Sequence, residues 1–139
     1  MSRRDTEVIT FNIDAVNLIG NNRVMRRFDT EYELLRADFR WTVGSTNGGS
    51  GTVALYKAAS GTAIGSGTAL LSAAVAVDAG GANSVNTTVT PKLSTVAGAT
   101  VIARDSYLGL VGAGTLTSLF GLCITLIMRQ RKTPDGGLR

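Results

Sequence analysis

Three carboxylates, five arginines, one cysteine and one glycine-rich loop are the residues with any claim to chemistry in this chain. Glu31, Glu33 and Asp38 lie close enough in sequence to make an acid–base pair. Asp29, Arg36 and Arg40 stand among them, so cross-strand ion pairs are the expected arrangement. Arg3, Arg4, Arg23, Arg26 and Arg27 could form a surface for an acidic partner or a neighbouring subunit. Only Phe28 stands beside the last three, so stacking on nucleic acid bases is poorly supported. Gly61-x-x-x-Gly65-x-Gly67-Thr68 has the glycine content of a phosphate loop but lacks its lysine and any sign of a following helix. A flexible loop is the expectation there.

What is missing narrows the chemistry further. Histidine is absent, which removes imidazole-based triads and imidazole-ligated zinc. A single cysteine, Cys123, can neither close an internal disulfide nor build a thiolate cluster. With no base beside it in sequence, it is expected to be a buried small hydrophobe in a strand. No EF-hand spacing is present, so no metal is expected. From Trp41 to Met128 the charges are Lys57, Asp78, Lys92, Arg104 and Asp105 alone, while 14 of the 17 glycines fall in the same stretch. An enzyme needs ionisable groups converging in a cleft, and few are available to converge. The chain therefore reads as structural or adhesive, with no enzymatic activity and no cofactor.

The elements that would carry these residues are strands. Leu35, Ala37, Phe39, Trp41 and Val43 alternate with Arg36, Asp38, Arg40 and Thr42, the period of a half-buried strand. Thr52–Lys57, Leu70–Asp78, Ser84–Thr90, Val101–Ile102, Ser106–Val111 and Leu119–Met128 read as further strands, separated by Gly-, Ser- and Asn-rich turns. Residues 5–13 suggest a first strand or arm. Residues 14–30, with Gly20-Asn21-Asn22, fit a connection better than a core element. About eight strands at this spacing imply an all-β, antiparallel β-sandwich of jelly-roll type with an extended N-terminal arm. The expected organisation is an arm and connection over 1–30, a sandwich domain over 31–130 and a basic tail over 131–139.

The charge is uneven. Residues 1–40 carry seven basic and seven acidic side chains, whereas the end from Arg129 contributes Arg129, Arg131, Lys132 and Arg139 against Asp135. The net charge of +4 thus comes mostly from that end, which is expected to be a solvated tail. The start, Met1-Ser2-Arg3-Arg4-Asp5, runs into charged, alternating sequence without an apolar stretch, so synthesis without export is expected.

Tyr107–Met128 is a rival to this reading. It is uncharged and followed by Arg129-Gln130-Arg131-Lys132, which meets the length criterion for a membrane helix and would suit a small holin-like protein. Against that, Gly109, Gly112, Gly114 and Gly121 interrupt it, and Thr115, Thr117 and Ser118 make its middle polar. A pair of strands with a turn at Gly112–Thr115 is the expectation.

Several segments resemble small virion proteins of tailed bacteriophages: Glu33-Leu34-Leu35-Arg36-Ala37-Asp38; Tyr56-Lys57-Ala58 with Ser60 to Thr68; Ala82-Asn83-Ser84-Val85; Asp105 to Leu110; and Gly114 to Gly121. The resemblance covers roughly residues 31–130. It implies a β-sandwich on the outer capsid surface, commonly a homotrimer, that acts as a decoration or cement protein. Its partner would be the major capsid protein, with no small-molecule substrate, nucleic acid or membrane involved. A head-fibre, tail or adhesion module is the alternative within the virion. Arg3, Arg4, Arg23, Arg26 and Arg27 are the expected capsid or subunit contacts.

Overall fold

The structure, a computed structural model, describes residues 6–15 and 22–131. These form nine strands: β1 (Thr6–Ala15), β2 (Asn22–Arg27), β3 (Tyr32–Arg40), β4 (Thr52–Ala59), β5 (Thr68–Ala69), β6 (Val75–Ala76), β7 (Val101–Ile102), β8 (Ser106–Ala113) and β9 (Phe120–Gln130). One sheet has the order β1-β9-β3-β7 and the other β2-β8-β4-β5, with β6 also on β4. Every strand pair is antiparallel. The two sheets pack face to face, so the all-β sandwich expected from the spacing is the fold.

The alternation in β9 shows why. Leu122, Ile124, Leu126 and Met128 are all buried, and they face Val53, Leu55, Leu108 and Leu110 of the other sheet. Phe28, Phe39 and Trp41 supply the aromatic mass of the core. Each such side chain contributes about 1.5–3 kcal/mol by leaving water. Thr and Ser do not compete for these positions, because an inward hydroxyl would need its own partner.

Tyr107–Met128 is not a helix. It divides into most of β8 and most of β9, which lie in different sheets, joined across 114–119. Gly114 makes that crossing feasible: its φ is +71°, and a Cβ there would overlap the Ser50 carbonyl oxygen. Among the described residues no helix is long and apolar enough to cross a membrane.

Four expectations need correction. Leu35 does not face the core. The pairing steps from Leu34↔Met128 to Arg36↔Ile127, which leaves Leu35 as the extra residue of a β-bulge. The bulge shifts the alternation by one, so Leu34 is buried with Ala37 and Phe39 while Leu35 is 39% exposed. Second, Leu70–Asp78 is a strand only at Val75–Ala76, and the backbone of Ser84–Thr90 pairs with a sheet strand only at the bridge of Val89 to Phe39. Left-handed residues at Gly80 and Asn86 turn this segment repeatedly, so it wraps the sandwich instead of extending beside it. Third, the segment read as a connection contains β2 and the buried Phe28, and β1 belongs to the opposite sheet. Fourth, Cys123 is half-buried on the outer face of its sheet, not in the core.

Candidate contact surface

The arginine cluster is organised by β2. Arg26 reaches across the sandwich to Glu7 of β1 at 3.5 Å, and its guanidinium stacks 4.8 Å above the Phe28 ring and 5.9 Å from that of Tyr32. The two rings are themselves in tilted contact at 5.2 Å. Arg27 forms an ion pair with Asp105, just before β8. Arg23 is placed on β2 opposite Leu110; its side chain lies outside the described residues, as do Arg3 and Arg4. Two of the five expected contact arginines are therefore committed to ion pairs within the chain. Arg26 and Arg27 keep partial exposure, 32% and 51% of the side chain, so both can still meet a partner.

Tyr32 closes this corner. Burial, reinforced by a hydrogen bond to the Glu7 carboxylate and by its charge, holds the phenol above its ordinary value of 10.0. Glu7 thus receives both the Arg26 charge and the Tyr32 hydroxyl, which ties β1, β2 and β3 together at one point.

The carboxylates do not converge. Arg129 donates to Glu33 at 2.6 Å, and Arg131 lies 3.3 Å from Glu31, its backbone N–H donating to the Glu31 carbonyl at 2.8 Å. Asp38 accepts from Arg36 at 3.0 Å and from the Thr90 hydroxyl at 2.6 Å, while Arg40 donates to Thr88 at 3.2 Å. Cross-strand ion pairs do form, but the partners of Glu31 and Glu33 come from the C-terminal end, not from Arg36 and Arg40. The sheet register fixes this, since Glu33 lies opposite Arg129. Arg131, expected to begin the solvated tail, is tied to Glu31, and Arg129 just before it is a strand residue.

Two shallow clefts with ionisable side chains bear on chemistry. One, of about 270 Å³, is lined by Lys57, Thr62, Ser66, Thr68 and Ser106. Lys57 spends its donors on the carbonyls of Gly98, at 2.6 Å, and Val101, and burial lowers its pKa below 10.5. It pins β4 to the chain around β7. Among the described residues lining this cleft there is no carboxylate to make an acid–base pair with it. Gly67 is required because a Cβ would collide with the Lys57 carbonyl oxygen, and Ile64–Ser66 makes only a short 3-10 turn. The glycine-rich loop is thus packed down on β4 at Gly67. The second cleft, about 280 Å³, lies on the outer face beside Asp38, Arg40, Thr88 and Cys123. Its charges are engaged with Arg36, Thr90 and Thr88 as above. Among the described residues no group of three Cys, Asp or Glu side chains is placed to hold a metal ion.

What remains for contact is hydroxyl-, amide- and glycine-rich loop together with scattered apolar side chains: Val8, Val24, Val43, Val85, Val96 and Phe120 are all exposed. Comparison with protein-family models, with curated proteins and with solved structures found no match to this chain.

Proposed function

We propose that this chain is a structural virion protein, a decoration or cement protein that binds the outer surface of an assembled phage head and stabilises the joints between capsid subunits. One observation carries the reading: the ionisable side chains pair with one another along the sheets instead of converging on a cleft, which leaves a weakly charged surface of Thr, Ser, Gly and Asn loops. Such a surface suits many modest contacts better than chemistry on a small molecule. The resemblance of residues 31–130 to phage decoration proteins supplies the partner, the major capsid protein.

In mechanism, each copy bridges neighbouring subunits, so its site exists only on the closed shell. Binding the shell and not the free subunit stabilises the shell by mass action. Several modest contacts engaged by one rigid sandwich raise the effective concentration of each for the next. Arg26 and Arg27, held in place by Glu7 and Asp105, are the basic residues best positioned to meet an acidic surface, of the capsid or of a neighbouring copy. Because β1 and β2 are sheet strands, removing residues 1–27 would damage the fold and cannot isolate the contact.

The test is co-sedimentation of the purified protein with emptied, mature heads and, separately, with unassembled capsid subunits. Saturable binding to heads alone is expected. Equal binding to free subunits, or none to heads, would contradict the reading. Arg27→Glu should weaken binding to heads while leaving the circular dichroism spectrum unchanged.

A further inference from the structure

Among the described residues, the sandwich is finished on one flank only. β3 and β4 both have their outer edges covered: β3 by β7, by the Thr100 carbonyl accepting from Leu34 N–H at 2.9 Å, and by Val89; β4 by β5, β6 and Leu70. On the other flank β1 ends one sheet and β2 ends the other, and no described residue pairs with their outer edges. An open row of backbone donors and acceptors is a template for another strand.

The two open edges lie side by side, as the contact of Glu7 with Arg26 shows. They also run in opposite directions. Ala15, at the end of β1, lies opposite Phe120, while Asn22, at the start of β2, lies opposite Val111. Thr115 N–H donates to Gly49 O at 2.9 Å and Phe120 N–H to Val43 O at 3.0 Å, so the end of β8 and the start of β9 meet the same 41–51 loop. β1 therefore runs towards that end of the sandwich and β2 away from it.

Their charges are opposite as well. β1 carries Glu7 and Asp14 and no basic residue; β2 carries Arg23, Arg26 and Arg27 and no acidic one. Apolar surface accompanies both: Val8 is 63% and Val24 52% exposed, and Ile9, Phe11 and Met25 are half-buried at the margin of the core.

We propose that this flank is the docking surface for a second copy of the chain, related by a twofold axis along the strands. Such an axis sets β1 of each copy antiparallel to β2 of the other, twice over, and joins each sheet to the opposite sheet of its neighbour. Acidic edge meets basic edge in both seams. Pairing β2 with β2 would instead set three arginines against three, and β1 with β1 would gather the carboxylates, which like-charge repulsion opposes. Exposed Val8 and Val24 and the half-exposed Ile9, Phe11 and Met25 would be covered in the same step. The inference is independent of the virion reading, and it favours twofold over the threefold assembly that the phage resemblance implies.

Light scattering coupled to size-exclusion chromatography, run on the full chain over a concentration series, tests it. The expected result is twice the 14.5 kDa chain mass, with Val8→Lys, which faces the arginines of the other copy, and Val24→Glu, which faces its carboxylates, each weakening association at least about tenfold and leaving the circular dichroism spectrum unchanged. Both side chains are exposed, so the fold has no need of them. A monomer throughout, a threefold mass, or a dimer that ignores both variants would overturn the proposal.

Discussion

The flank built from β3, β4 and their covering segments differs from the flank of β1 and β2 in how an edge is protected. On the first, more than 40 residues between Ala59 and Val101 wrap the edges with short strands, single bridges and left-handed turns. On the second, the described edges are bare and charged, and one corner of Arg26, Glu7 and Tyr32 holds the sheets together. The difference teaches that hydrogen bonding seals one side of this sandwich, whereas the other is left able to take a further strand.

The sharpest way to test this asymmetry is to truncate one core-packed aromatic on each side. Phe39 is fully buried and exchanges both backbone hydrogen bonds with Val89 at 2.8 Å, so Phe39→Ala should cost about 3–5 kcal/mol in urea unfolding. Phe11 on β1 is only half-buried, and Phe11→Ala should cost about 2 kcal/mol or less. Equal losses would mean that β1 is as integral to the core as β3.

Lys57 offers a smaller test on the covered side. Lys57→Met keeps the stem but strands the Gly98 and Val101 carbonyls, for an expected loss of about 1 kcal/mol.

Alkaline pH should separate the flanks by sign. Tyr32 has a raised folded pKa, so its contribution is complete below 10.0 and is lost as pH rises through the folded value. Lys57 has a lowered one, so stability attributable to it rises with pH between the folded value and 10.5. Denaturant midpoints across this range should fall less steeply in Tyr32→Phe and more steeply in Lys57→Met than in the parent. Identical slopes in all three would refute the assigned environments.

The smallest effect belongs to the surface pairs: Glu33→Gln, which loses Arg129, should change stability by less than about 1 kcal/mol.

The sequence made much of the sandwich legible because its signals are local. Period-two alternation in β3, β8 and β9 and the turn at Gly114 depend on neighbours along the chain. What stayed hidden depends on residues far away. The bulge at Leu35 arises from the register against β9, and nothing in Leu34-Leu35-Arg36 says which leucine turns inward. Val75–Ala76 pairs only because β4 is there to receive it, so the apolar run from Leu70 looks like a longer strand than it is. Asn22–Arg27, rich in arginine, hid an edge strand, since an edge tolerates charge where a central strand would not. Of the contact residues, Arg26 and Arg27 were visible as a cluster, but their engagement by Glu7 and Asp105 is a product of topology.

The central claim is that the chain coats an assembled shell, and its copy number per purified particle tests this most directly. Quantitative mass spectrometry of gradient-banded virions should find it in a simple ratio to the major capsid protein. A handful of copies per particle, or none, would contradict the cement reading.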